Sequence, residues 1–176
     1  MSLEHKFHQT VKEWREHCRN TPSSLSHSYL DCDAYRRIVA MGAQVLPLIR
    51  DQLYIEYEKA MKYEDELKRL KKKVFGAESV ELFGEPYNKI RKDEEYQKYE
   101  IEYDNDIRGN PNILWCYAIK EIVPEFNLHI GEKGGGSSIE KVAPRFLGLK
   151  VYEVQKDTIK WLDEKMSKYL SENLII

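Results

Sequence analysis

The run VLPLIRDQLYIEYEKAMKYEDELKRLKKKVF, residues 45–75, is the longest uninterrupted helical pattern in the chain. Its opening is densely apolar, with Val45, Leu46, Leu48, Ile49 and Leu53. Pro47 falls in a first helical turn, where backbone amides have no intrahelical acceptor and a proline is tolerated. The stripe continues thinly through Tyr57, Ala60, Leu67 and Val74. Glu58 with Lys62, Glu64 with Lys68 and Asp65 with Arg69 stand in the acid-first i,i+4 order that supports a helix. The pattern predicts one helix reaching Phe75, where Gly76 interrupts it.

On the N-terminal side, Phe7, Val11, Trp14 and Cys18 recur at helical spacing and predict a first helix that packs through one stripe. Asn20 to Ser28 reads as a polar connection. A short helix over about Asp31 to Met41 follows, with Tyr35, Ile38 and Val39 inward and Gly42 as its stop. Asp31 and Asp33 read as a cap and as charges favoured by the positive helix end. Ala43 to Leu46 is a tight turn into the long helix.

On the C-terminal side the composition shifts. Between Tyr54 and Arg108 there are 15 acidic and 12 basic residues and seven of the twelve tyrosines. A break at Gly76 to Pro86 precedes a second helix from about Tyr87 to Asp104, offering Ile90, Tyr96, Tyr99, Tyr103 and Ile107 for contact. This predicts a charged antiparallel hairpin projecting from the core. Tyr96, Tyr99 and Tyr103, three and four apart, read equally as an interaction surface or as the hairpin's internal seam. Asn110-Pro111 then reads as an N-cap and first position of an apolar helix, Ile113 to Ile122, which Val123-Pro124 ends. Gly131 to Ser138 is a loop, Ile139 to Phe146 makes a turn or two of helix, and Val151 to Leu170 closes the core. Its inner face carries Val151, Val154, Thr158, Trp161, Leu162, Met166 and Tyr169. Trp14, Trp115 and Trp161 are expected to share that core.

The fold expected is therefore all-α: one domain of 176 residues, a compact helical core over 4–53 and 110–170, and an inserted helical hairpin over 54–108. With 41% hydrophobic and 33% charged residues the chain has apolar material enough to fold beneath a charged surface. Its 28 basic and 30 acidic side chains nearly cancel, and no basic stripe of the kind that neutralises a phosphate backbone is visible, so nucleic acid is not an expected partner. No apolar run approaches the roughly 20 residues that cross a bilayer. The N-terminus lacks the apolar region of a secretory signal, which leads us to expect a cytoplasmic protein with no membrane association. Cys18, Cys32 and Cys116 fit neither a disulfide framework nor a zinc set and are expected to be reduced and mostly buried.

Chemistry is sparse. Gly131 to Ser138 lacks the Gly-Lys-Ser/Thr ending of a phosphate-binding loop, so no cofactor is expected. The acidic set Glu94, Glu95, Glu100, Glu102, Asp104 and Asp106 carries no Glu-x-x-His motif and reads as a salt-bridged exposed face, without metal. His5, His8 and His17 read as solvated surface. Ser24, His27, Asp31 and Cys32 gather between two helices and are the candidate catalytic residues of a small enzyme. The leading expectation is instead a non-enzymatic module in which the hairpin contacts a protein partner or a second copy. A third reading, a regulator acting with nucleic acid as in toxin and antitoxin pairs, requires Lys68 to Lys73 and Arg91-Lys92 to converge.

Ala34 to Gly42, followed by Val45-Leu46-Pro47-Leu48-Ile49 and Leu53, resembles a family of small uncharacterised prokaryotic proteins. Trp115 to Ile122 resembles that family's second block, and Trp14, Ser23-Ser24 and Trp161-Leu162 fall in matching order. The Met-Gly turn before a proline-centred apolar helix also resembles one unit of HEAT-like helical repeats. The sequence departs from the family at Cys32-Asp33, where the resemblance implies His-Pro, and in the 54–108 hairpin, where it implies a short loop.

Overall fold

A computed structural model of the protein describes residues 1–22, 26–107, 109–128 and 150–174. Every regular element among them is helical, as the sequence predicts. The expectations for Ser23, Ser24, Gly131 to Ser138 and Ile139 to Phe146 lie outside the described residues. The chain divides into two compact units, Met1–Tyr57 with Gly109–Ile176, and Glu58–Arg108. The division falls after Tyr57 rather than after Leu53 because Glu56 is buried and hydrogen-bonded within the first unit.

In the first unit, α1 (Leu3–Asn20) starts at Ser2, whose hydroxyl accepts from the His5 amide at 3.2 Å. It buries the expected Phe7, Val11, Trp14 and Cys18. The polar connection after it contains an unforeseen helix, α2 (Ser26–Leu30), tied to α1 by the Trp14 indole donating to the Tyr29 carbonyl at 2.9 Å. His17, read as solvated, bonds through Nε2 to the Ser28 carbonyl oxygen at 2.8 Å. Then α3 (Asp33–Ala40) packs on α1, and Gly42 at φ +75° ends it in backbone geometry that L side chains rarely adopt. A 3₁₀ turn, Ala43–Val45, leads into α4 (Leu46–Phe75), which runs unbroken for 30 residues.

The chain re-enters the first unit at Gly109 (φ +117°). In place of the expected helix starting at Pro111, it makes a 3₁₀ turn, Asn112–Leu114, before α7 (Trp115–Ile122). Asn112 at φ +51° is left-handed, so the helix cannot begin until after it. α8 (Val151–Leu174) buries Val154, Thr158 and Leu162 as expected, with Gln155 and Ile159 beside them. Trp14 and Trp115 are fully buried with ring centroids 5.0 Å apart. Trp161 packs half-buried at the edge of the same core, 4.9 Å from Phe126.

The second unit has its own core of Tyr63, Leu70, Ile90, Tyr96, Tyr99 and Ile107. The helix expected over 87–104 is two, α5 (Glu85–Ile90) and α6 (Glu94–Asp106). Asp93 separates them: its carboxylate accepts from the Tyr96 amide at 3.1 Å and so caps α6. Lys73 meets Asp93, while Tyr63 meets Glu102 and Asp106, so α4 and α6 run antiparallel within this unit. Arg69 pairs with Glu66 and Glu95 rather than with Asp65.

Candidate functional site

At the junction of α2 and α3, Ser24 lies outside the described residues, His27 and Asp31 are exposed, and Cys32 is half-buried. The capping position falls on Cys32, not Asp31. Cys32 has the extended backbone of an N-cap but makes no capping bond through its side chain. Asp31 and Asp33 both pair with Arg36, at 3.1 and 2.8 Å. That guanidinium, hydrogen-bonded to Asp33, holds its carboxyl below the usual range. The junction's acids are thus engaged in surface ion pairs. On the next turn of α3, Tyr35 donates to Glu121 on α7. Burial, then this hydrogen bond, pushes its phenol far above the ordinary value. Among the described residues no group of three His, Cys, Asp or Glu side chains is placed to hold a metal ion, and no helix is long and apolar enough to cross a membrane.

In the second unit, burial separates the two readings of the tyrosines. Tyr96 and Tyr99, 6% and 9% exposed, are seam residues, which corrects their place in an interaction surface. Tyr103 is 38% exposed. The rings of Tyr63, Tyr96, Tyr99 and Tyr103 follow one another at 5.6 to 5.9 Å, in tilted and edge-on pairs. Their seam opens on a groove of about 320 Å³ that Tyr63 and Tyr99 line together with Glu66, Glu95, Glu102, Lys62 and Lys98. Of the 13 residues of α6 only Tyr96 and Tyr99 are buried, and Ile101 stands 63% exposed. The helix carries six acids against one lysine, whereas Lys68 to Lys73 supplies five basic residues in six. Within that stretch Arg69 and Lys73 are paired with carboxylates, so it is not a bare cationic face of the kind phosphate contacts require.

The most unusual chemistry lies in the first unit and involves a residue that the sequence reading passes over. Leu46, Ile49, Leu53, Glu56, Ala60, Tyr63, Leu67 and Leu70 recur in alternating steps of three and four. A carboxylate therefore occupies an apolar-stripe position, the one signal that points to it. Glu56 is 1% exposed. It accepts from the Asn112 amide at 3.0 Å and from the Trp115 indole at 2.6 Å. Burial raises its pKa to about 7 against the opposing pull of those donors and of Arg15. Gln52, one turn back, turns its amide toward the same carboxylate without completing a well-formed hydrogen bond. Gln155 of α8 donates through Nε2 to Asn112 Oδ1 at 3.3 Å. Three buried side-chain atoms among the described residues have no hydrogen-bond partner: Arg15 Nε, Gln52 Nε2 and Gln155 Oε1.

A scan against protein-family models finds no matching family, and searches of curated proteins and of solved structures find no match.

Proposed function

We propose that the protein is a non-enzymatic self-association module and that Glu58–Arg108 carries the contact between two copies. The observation behind this reading is α6, which turns Ile101, Tyr103 and an acidic face outward while burying only two tyrosines. A helix so little covered by its own unit leaves an apolar anchor inside a charged rim, the composition of a protein contact surface. Charge selects the second copy as occupant, because the same unit supplies the complement, the basic stretch Lys68 to Lys73 with Lys72 exposed. Arg69 and Lys73 pair with acids of their own chain, so in a two-fold pair it is Lys68, Lys71 and Lys72 of each copy that meet the outer acids of the other's α6.

Sedimentation equilibrium of the full chain and of Ile101→Asp tests this. The expected result is a concentration-dependent dimer that weakens with added salt and is lost in Ile101→Asp, whose circular dichroism stays unchanged. A full chain that is monomeric at every concentration, or an Ile101→Asp variant that dimerises normally, would sink the proposal.

A further inference from the structure

Among the described residues of Glu58–Arg108, three large apolar side chains are exposed: Phe83 at 86%, Ile101 at 63% and Tyr103 at 38%. Phe83 is displayed by a fixed turn. Its amide donates to the Glu81 carbonyl at 3.0 Å, Leu82 before it packs on the unit's core, and Gly84 after it, at φ +65°, opens α5. A turn that buries one apolar residue and holds the next in water makes that aromatic ring a ready contact anchor. Ile101 stands at the other end of the unit. The Tyr63 hydroxyl donates to the Glu102 carbonyl at 3.2 Å, which sets Ile101 level with Tyr63. Phe83 belongs instead to the end where α4 stops, since Lys89 of α5 lies over the Phe75 ring at 5.4 Å. From Tyr63 to Phe75 the helix rises about 18 Å. Within one copy the two anchors therefore cannot cover each other.

A two-fold pair can treat these anchors in three ways. Centred on Ile101, it leaves Phe83 in water. With the copies parallel, it covers both anchors but presses Glu81 and Glu85, which flank Phe83, against the same two glutamates of the other copy, a costly meeting of like charges. With the copies antiparallel and offset, Phe83 meets Ile101. On the reading that Glu58–Arg108 carries the contact between two copies, we propose this third arrangement, with Phe83 of each copy seated on Ile101 of the other. The neighbours of Ile101 three and four residues away on α6 are Gln97, Lys98, Asp104 and Asn105. Lys98, 79% exposed and 3.9 Å from Glu102, is the cation that Glu81 and Glu85 of the arriving turn meet. The same orientation carries Lys71 and Lys72, near the end of α4, toward the outer acids of the other copy's α6. Each anchor contact is made twice, so the pair closes and leaves no apolar end to recruit a third copy.

Mixing two variants of the full chain in sedimentation equilibrium tests the pairing. Phe83→Lys and Ile101→Asp each spoil both anchor contacts of their own dimer and should each weaken it by at least about tenfold. Both positions are exposed, so circular dichroism should stay that of the wild type. In the mixture, Phe83 of the Ile101→Asp chain still finds Ile101 of the Phe83→Lys chain, and the two substituted positions meet as a lysine and an aspartate. The mixture should therefore dimerise at least about tenfold more tightly than either variant alone. Parallel copies give no such rescue, because both substituted positions then face wild-type residues of their own kind. A mixture no tighter than its components, or a Phe83→Lys chain that dimerises normally, overturns the antiparallel pairing while leaving the dimer in place. A wild-type chain that is monomeric at every concentration overturns both the pairing and the reading on which it rests.

Discussion

Glu56 is one carboxylate among thirty acidic residues, yet its environment gives it a consequence for stability that exposed acids lack. Its folded value of about 7 lies above the ordinary 4.5. Between these two the native state holds a proton that the unfolded chain has released, so stability is greatest below the lower value and falls as pH rises toward the upper one. The size of the shift corresponds to roughly 3 kcal/mol lost across that window. Denaturant melts at a series of pH values should show this decline in the wild type and a flatter profile in Glu56→Gln; parallel profiles would contradict the assignment. Trp115 serves the same place from the other side, fully buried against Trp14 and donating to Glu56. Trp115→Ala removes a large core side chain and an indole donor together and should cost about 3 to 5 kcal/mol in chemical denaturation. A loss below about 1 kcal/mol would mean that the ring is not packed as described.

At the scale of elements, caps and turns decide where helices stop. Gly42 separates α3 from the 3₁₀ turn with φ at +75° and ψ at −164°, and open space surrounds the position where a Cβ would stand. Gly42→Ala should therefore destabilise through backbone strain alone, by about 1 to 3 kcal/mol, with no clash to relieve. A neutral result in thermal melts would show that the turn relaxes. The stripes of α1, α4 and α8 were legible in the sequence because apolar side chains at helical spacing need no information from elsewhere in the chain. The break between α5 and α6 was not. Asp93 caps a helix only because the chain turns there, and its neighbours Arg91 and Lys92 do not distinguish a turn from helix interior. Asn112 hid its left-handed backbone behind a proline that usually opens a helix. Glu56 and Gln155 were passed over because polar residues on a stripe read as interruptions, whereas here both are buried and hydrogen-bonded to Asn112. Tyr96 and Tyr99 could be placed only by burial, since a tyrosine seam and a tyrosine contact surface have the same spacing.

Across the whole molecule, the two units rest on different resources. Among the described residues the first gathers twenty-two buried side chains into its core, the second six, three tyrosines and three branched aliphatics. The second unit adds ion pairs on Arg69 and Lys73, which are exposed and open to screening. Native-state amide exchange should therefore find the interior of α6 opening at lower free energy than those of α1 and α7. Equal protection throughout would mean that the chain opens only as one cooperative body. All three tryptophans, Trp14, Trp115 and Trp161, belong to the first unit, while the second is built around tyrosines and contains none. The protein thus carries a built-in optical label for one unit. Indole emission, excited where phenols do not absorb, reports on the first unit alone, so a change confined to the second leaves it silent and no dye need be attached to tell the two apart.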